Sequence, residues 1–196
     1  MSTRGLYGFR KNGVDKTTYN HFDSYPSGLG ETVVRFCMTH SADSMRDMFD
    51  KIILVTENVP PTEEQINRCV SAGWYNGDVS TQTTHEWYCL LRELQGELDK
   101  LYEAYENDDP IYMIDDHTFI QDSLFCEHAY IINLDTGMLE YWQGFQHEPQ
   151  LGNRYGEERD GKYYPCALMC EFPLDDKAAL TIAVAAMNAI EDVGAA

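Results

Sequence analysis

The stretch Gly5-Leu6-Tyr7-Gly8-Phe9-Arg10-Lys11-Asn12-Gly13-Val14-Asp15-Lys16-Thr17-Thr18-Tyr19-Asn20 decides the fold class. Two strand-forming runs, Leu6 to Arg10 and Lys16 to Tyr19, flank Asn12-Gly13. That dipeptide readily supplies the positive φ angles of a tight hairpin turn, so residues 5–20 read as a β-hairpin. A second hairpin follows much later: Tyr130-Ile131-Ile132-Asn133-Leu134, the turn Asp135-Thr136-Gly137, then Met138 to Trp142. A lone two-stranded hairpin is marginal in water, so the two are expected to share one sheet. Ile111 to Ile114 and Cys166 to Phe172 read as further strands.

Between and after the hairpins the apolar period changes to that of helices. Glu31 to Met38 forms one short helix. In the next, Met45, Met48, Phe49, Ile52 and Ile53 fall at i, i+3, i+4, i+7 and i+8. Pro60-Pro61 stops the chain, and Thr62 with Gln65 makes a capping box for a helix to about Ala72. Thr83 with Glu86 makes another, opening a long helix over residues 84–106. Its stripe of Trp87, Leu90, Leu91, Leu94, Leu98, Leu101, Tyr102 and Tyr105 predicts a face turned to the core. Asp175 is expected to cap a last, alanine-rich helix, Lys177 to Glu191. Residues 21–30, 76–84 and 146–162 read as loops. The expectation is one α+β domain over residues 1–196, with an antiparallel sheet built from two hairpins and partly covered by amphipathic helices.

The 196 residues carry 14 Lys+Arg against 33 Asp+Glu, a formal charge of −19, while 43% are hydrophobic. This is a chain that can bury a core, not a disordered acidic tail. Its charge argues against direct nucleic-acid binding, which needs surplus cations, and against docking on anionic lipid. The charge is uneven. Residues 1–25 hold Arg4, Arg10, Lys11 and Lys16 against Asp15 and Asp23, a net +2, so the rest carries −21. Such a body is kept soluble by self-repulsion, or it presents an anionic face to a basic partner. The start Met1-Ser2-Thr3-Arg4-Gly5 has no apolar signal region, and Ala178 to Ile190 is too short for a membrane span, so a cytoplasmic location is expected. Six cysteines there read as reduced thiols.

Chemistry-bearing motifs are few. Cys166 and Cys170 fall on one face of a predicted strand, but no second pair completes a zinc set, and no metal or cofactor is assigned. Asp115-Asp116-His117 reads as an acidic turn. Gly28-Leu29-Gly30 lacks the further glycine and lysine of a phosphate loop. The densest cluster of special residues is the opening: Arg4, Tyr19, Asn20, Asp23 and Tyr25 gather where a strand leaves the sheet. They either tie a polar knot, with an Arg4–Asp23 bidentate pair, or line a pocket for a small ligand.

This opening (Thr3-Arg4-Gly5-Leu6-Tyr7-Gly8-Phe9, Asn12-Gly13-Val14-Asp15-Lys16, Thr18-Tyr19-Asn20-His21-Phe22-Asp23-Ser24-Tyr25-Pro26, Gly28-Leu29-Gly30) resembles the N-terminus of a family of bacteriophage and prophage proteins. The likeness covers residues 3–30 and, more loosely, 129–145. It implies a viral accessory protein in the host cytoplasm, of a kind that binds and blocks host components; one version is an acidic mimic of nucleic acid. The opening is also similar to N-terminal-nucleophile hydrolases, in which a residue exposed by processing begins a hairpin. That likeness implies, as an alternative, an amidohydrolase using Ser2 after removal of Met1, its own α-amine acting as base. A virion structural component ranks third. A binding protein without enzymatic activity is the leading expectation, its partner either a basic host protein or a small molecule.

Overall fold

The computed structural model describes residues 3–79, 84–157 and 163–194. The first hairpin forms as expected: β1 (Gly5–Lys11) pairs antiparallel with β2 (Val14–Asn20), and Asn12 and Gly13 turn at φ 53° and 73°. Asp135 secures this turn, its two carboxylate oxygens accepting from the Asn12 and Gly13 backbone N–H groups at 2.6 and 2.9 Å. The second hairpin, β5 (His128–Asn133) and β6 (Met138–Gln143), continues into β7 (Ala167–Pro173). The five strands make one mainly antiparallel sheet in the order β2-β1-β5-β6-β7. The seam between the hairpins is parallel, with Gly5 opposite His128 and Arg10 opposite Asn133.

Both faces of this sheet are covered, which suits its parallel centre. All six residues of β5 are buried, so the polar alternation of a half-solvated strand is missing there. One face carries Tyr7, Phe9, Tyr130, Ile132, Leu139 and Tyr141 into the main core. Helices α1 (Glu31–Thr39), α2 (Ala42–Lys51) and α6 (Lys177–Gly194) pack on it. Lys177 joins two of them by donating to the Cys37 and Met38 carbonyls at the end of α1. The other face holds a smaller cluster of Leu6, Ala129, Ile131, Trp142, Ile120, Cys126 and Cys166. Over its edge lies the 146–157 segment. Arg154 clamps the buried Glu140 carboxylate, which also accepts from Asn133 Nδ2 at 2.7 Å and Trp142 Nε1 at 2.9 Å. With its hydrogen-bonding capacity filled in this way, a buried ion pair escapes most of its desolvation penalty.

Three expectations about helices are corrected. The periodic run through Ile52 and Ile53 is not all helix: α2 ends at Lys51, and Ile52–Val55 form β3. Lys16 donates to the Phe49 and Ile52 carbonyls at this break, and β3 pairs in parallel with β4 (Ile111–Ile114) in a separate two-stranded sheet. The long helix over 84–106 is instead α4 (Trp87–Leu90), a tight turn over Arg92–Leu94, and α5 (Leu98–Glu106). The chain reverses at Gly96, whose φ of +80° no helix accommodates. The last helix is capped by Asp176 rather than Asp175, through the Ala178 and Ala179 N–H groups. By contrast α3 (Glu63–Ser71) begins with the reciprocal Thr62–Gln65 capping box that was expected. Thr83 of the second expected box, like residues 158–162 of the long loop, lies outside the described residues.

Among the described residues no helix is long and apolar enough to cross a membrane. Cys166 and Cys170 do not share a face. Trp142 pairs with Leu168 and Tyr141 with Cys170, so Met169 is an extra residue that reverses the strand's parity. Cys166 therefore joins the smaller cluster while Cys170 packs against the main core.

At the start of β5, His128 is 4% exposed, with Nδ1 3.0 Å from the Tyr141 hydroxyl. Burial pulls its pKa from 6.5 down to about 4, although Glu191 stands 3.7 Å from Nε2. Between these values the unfolded chain binds the proton that the folded chain refuses, so stability falls as pH drops from 6.5 to 4. The loss expected from this side chain is about 3 kcal/mol. Urea unfolding over that range should show the slope in the wild type and a flattened one in His128→Gln.

Candidate functional site

The parallel pair β3–β4 has a consequence for chemistry. Val55 is opposite Ile114, and each strand ends there. Two residues beyond, each chain presents a carboxylic acid: Glu57 after β3 and Asp116 after β4. The carboxyl ends of parallel strands are where α/β folds collect ligands. Here the two acids open into a cavity of about 260 Å³ between the strand pair, the first hairpin and the broken helix.

Its lining is mostly aromatic and aliphatic. Tyr19 comes from β2, Tyr88 from α4, Tyr112 and Met113 from β4, and Leu91 and Leu94 from the helix break. Tyr7 reaches in from β1 and sets the shape of that break. Its hydroxyl donates to the Leu94 carbonyl at 2.8 Å and accepts from the Gly96 N–H at 3.0 Å. Burial pushes the Tyr7 phenol far above its usual range, so it remains a neutral donor and acceptor.

Both acids titrate above their usual ranges. For Asp116 the cause is burial, reinforced by the Asp115 charge. Opposing it are two hydrogen bonds to Oδ2, from the Tyr19 N–H at 2.9 Å and the Thr18 hydroxyl at 3.3 Å. The Asp116 backbone N–H donates to the Thr17 carbonyl at 3.0 Å, which ties β4's exit to the edge of the large sheet. Much of the Glu57 side chain faces solvent at the mouth, yet its carboxyl is desolvated enough to be raised, and the Asp116 charge raises it further. Backbone N–H groups of Tyr88 and Trp87 bond to it and oppose the rise. Outside the rim, the Arg92 guanidinium lies 5.1 Å from the Phe22 ring centre and 5.7 Å from that of Tyr88, bonded to Gln95 Oε1.

Of the five residues singled out in the sequence, only Tyr19 lines this cavity. Its hydroxyl is 2.7 Å from His21 Nδ1 and its ring meets Phe119 edge-on at 5.2 Å. Asn20 is buried, its amide donating to the Phe22 carbonyl and to Ser24 Oγ. Asp23 is exposed at φ +50°, with its carbonyl accepting from Leu29 N–H at 2.9 Å. The Tyr25 carbonyl accepts from Gly28 N–H at 2.9 Å, opening the wide turn Pro26–Gly30 that leads into α1. Arg4 lies over Phe125, 4.9 Å from the ring centre, and among the described residues it forms no ion pair with Asp23. Asn20 through its side chain, and Asp23 and Tyr25 through their carbonyls, hold the loop, while the expected Arg4–Asp23 pair is not among the ion pairs of the described residues. Ser2 lies outside the described residues.

Glu57, Tyr88, Tyr112 and Asp116 were not singled out as a set. The available signal was the matched placement of an acid two residues after two short apolar runs, Ile52–Val55 and Ile111–Ile114. It is legible only once the first run is read as a strand. Asp115-Asp116-His117 is an acidic turn, as read, with Asp115 bonded to His117 Nδ1 at 2.6 Å while Asp116 turns inward. Among the described residues no group of three or more His, Cys, Asp or Glu side chains is arranged to hold a metal ion. Comparison with protein-family models, curated proteins and solved structures finds no match.

Removing the Tyr7 hydroxyl leaves the half-buried Gly96 N–H without this partner and takes one of two donors from the buried Leu94 carbonyl, which keeps the Glu97 N–H. Tyr7→Phe is therefore expected to lower unfolding free energy by about 1–3 kcal/mol, measured by urea denaturation.

Proposed function

We propose that the protein is a binding protein that takes a small ligand into the cavity between Glu57 and Asp116. The observation that carries this reading is the cavity itself: apolar and tyrosine walls with a few converging polar groups at strand ends, the usual make-up of a small-molecule site. Two carboxyl groups desolvated by their surroundings mark the same place. The N-terminal resemblance supports placing it among phage-type accessory proteins, where capture of a host small molecule is one mode of action.

A second reading has its own support. The chain carries −19 overall, and Asp99, Glu103 and Glu106 are exposed on α5, so a basic, nucleic-acid-handling host protein is the alternative occupant of its surface. An amidohydrolase acting through Ser2 stands behind both, resting on the likeness of the opening alone.

The first reading is tested by adding a fragment panel while recording the amide and methyl resonances of Tyr19, Tyr88 and Met113. Binders should shift these signals and raise the melting temperature, by the equivalent of about 2.7 kcal/mol at a hundredfold excess over Kd. Gln95→Trp, which fills the cavity from a half-buried position, should abolish both effects; a panel that leaves those resonances unmoved overturns the reading. For the second reading, capture of a basic host protein should fall steeply as salt rises, and capture indifferent to salt would count against it.

A further inference from the structure

We infer that the occupant of this cavity is a small organic cation, an ammonium or amidinium group carried on a flat apolar body. The inference rests on the small-ligand reading above and assigns its chemical class.

The charged groups on the lining are both acids. Glu57 and Asp116 enter from neighbouring strand ends, and among the described residues none of the others on the lining is Lys, Arg or His. Among the described residues no ion pair reaches either carboxyl. Arg92 is held outside the lining by Gln95 and the rings of Phe22 and Tyr88. A largely apolar cavity whose described lining holds two carboxyls and no cation is electrostatically incomplete. A ligand cation completes it; an anion meets repulsion from both acids and from the −19 body.

The geometry of the acids agrees. Among the described residues the hydrogen bonds to the Asp116 carboxylate fall on Oδ2, from Tyr19 N–H and the Thr18 hydroxyl, which leaves Oδ1 to face an N–H donor. Those same bonds fix the carboxylate's orientation before any ligand arrives, which lowers the entropy cost of binding. Tyr19, Tyr88 and Tyr112 stand on the lining, and aromatic rings attract a desolvated cation and stack on a flat body. At about 260 Å³ the cavity lies just below the range of about 300–1,000 Å³ for drug-sized sites, so a single ring with a short amine-bearing arm is the scale of ligand it admits.

An isosteric series tests the class. Tyramine, tyrosol and 4-hydroxyphenylacetate share a phenol ring and differ in carrying an ammonium, a hydroxyl and a carboxylate. Calorimetric titration at neutral pH should find tyramine bound at least tenfold more tightly than either of the others. Asp116→Asn and Glu57→Gln, each checked by its unfolding curve, should each cut tyramine affinity at least tenfold and leave tyrosol unchanged. Tyrosol binding as tightly as tyramine, with the resonances of Tyr19 and Tyr88 shifted, overturns the cationic class and leaves the small-ligand reading standing. No heat and no shift from tyramine also overturns the cationic class, and the fragment panel then decides the small-ligand reading separately.

Discussion

The Tyr7 hydroxyl holds the molecule's two halves in register. It is a buried group on the first strand that satisfies a carbonyl and an N–H of a segment nearly ninety positions away in the chain. Left to its own periodicity, that segment would form one continuous helix. The hydroxyl instead rewards a reversal at Gly96, and the reversal leaves Leu91, Leu94 and Gln95 lining empty space rather than a helix interface. The cavity exists because a strand competes successfully with a helix for two backbone groups.

The same logic of filled bonding capacity governs the opposite face of the sheet. Glu140 is 1% exposed, and an isolated carboxylate there would be costly. Arg154, Asn133 and Trp142 all point donors at it, while Asp15 gathers Arg10 and the Tyr155 hydroxyl beside it. A loop with few apolar side chains is thereby fastened over a strand face that would otherwise be open to water. The helical face relies on apolar packing, and the looped face on a charge with all its partners present.

What was legible in the sequence divides along physical lines. Both hairpins could be read because their turns require particular residues: Asn12-Gly13 and Gly137 adopt positive φ, which few residues tolerate. The Thr62–Gln65 box was legible for the same reason, since capping is a local bond. Ile52 and Ile53 misled because a short apolar run fits either period until its partner is known, and that partner, Ile111–Ile114, is remote. The stripe from Trp87 to Tyr105 correctly marked core residues but not the break, which is enforced by Tyr7. Glu57 and Asp116 are ordinary acids in an acidic chain, and only the pairing of two distant strands sets them at one mouth. The conspicuous cluster of Asn20, Asp23 and Tyr25 makes the hydrogen bonds of the loop into α1 and does not line the cavity, and residues able to make tight turns are conspicuous wherever they occur.

The parallel seam between β1 and β5 bears on the chain's birth as well as its shape. The Arg4 backbone N–H bonds to the Glu127 carboxylate across 123 positions, and every described wall of the cavity lies within the span so closed. As the polypeptide emerges from the ribosome, the opening hairpin is complete early, but β1 must wait with one edge unpaired until more than half of the protein has been made. A bare strand edge is a template for foreign strands, and closing so long a span is slow. The most vulnerable moment for this protein is therefore during its synthesis, when its best-formed element is also its stickiest.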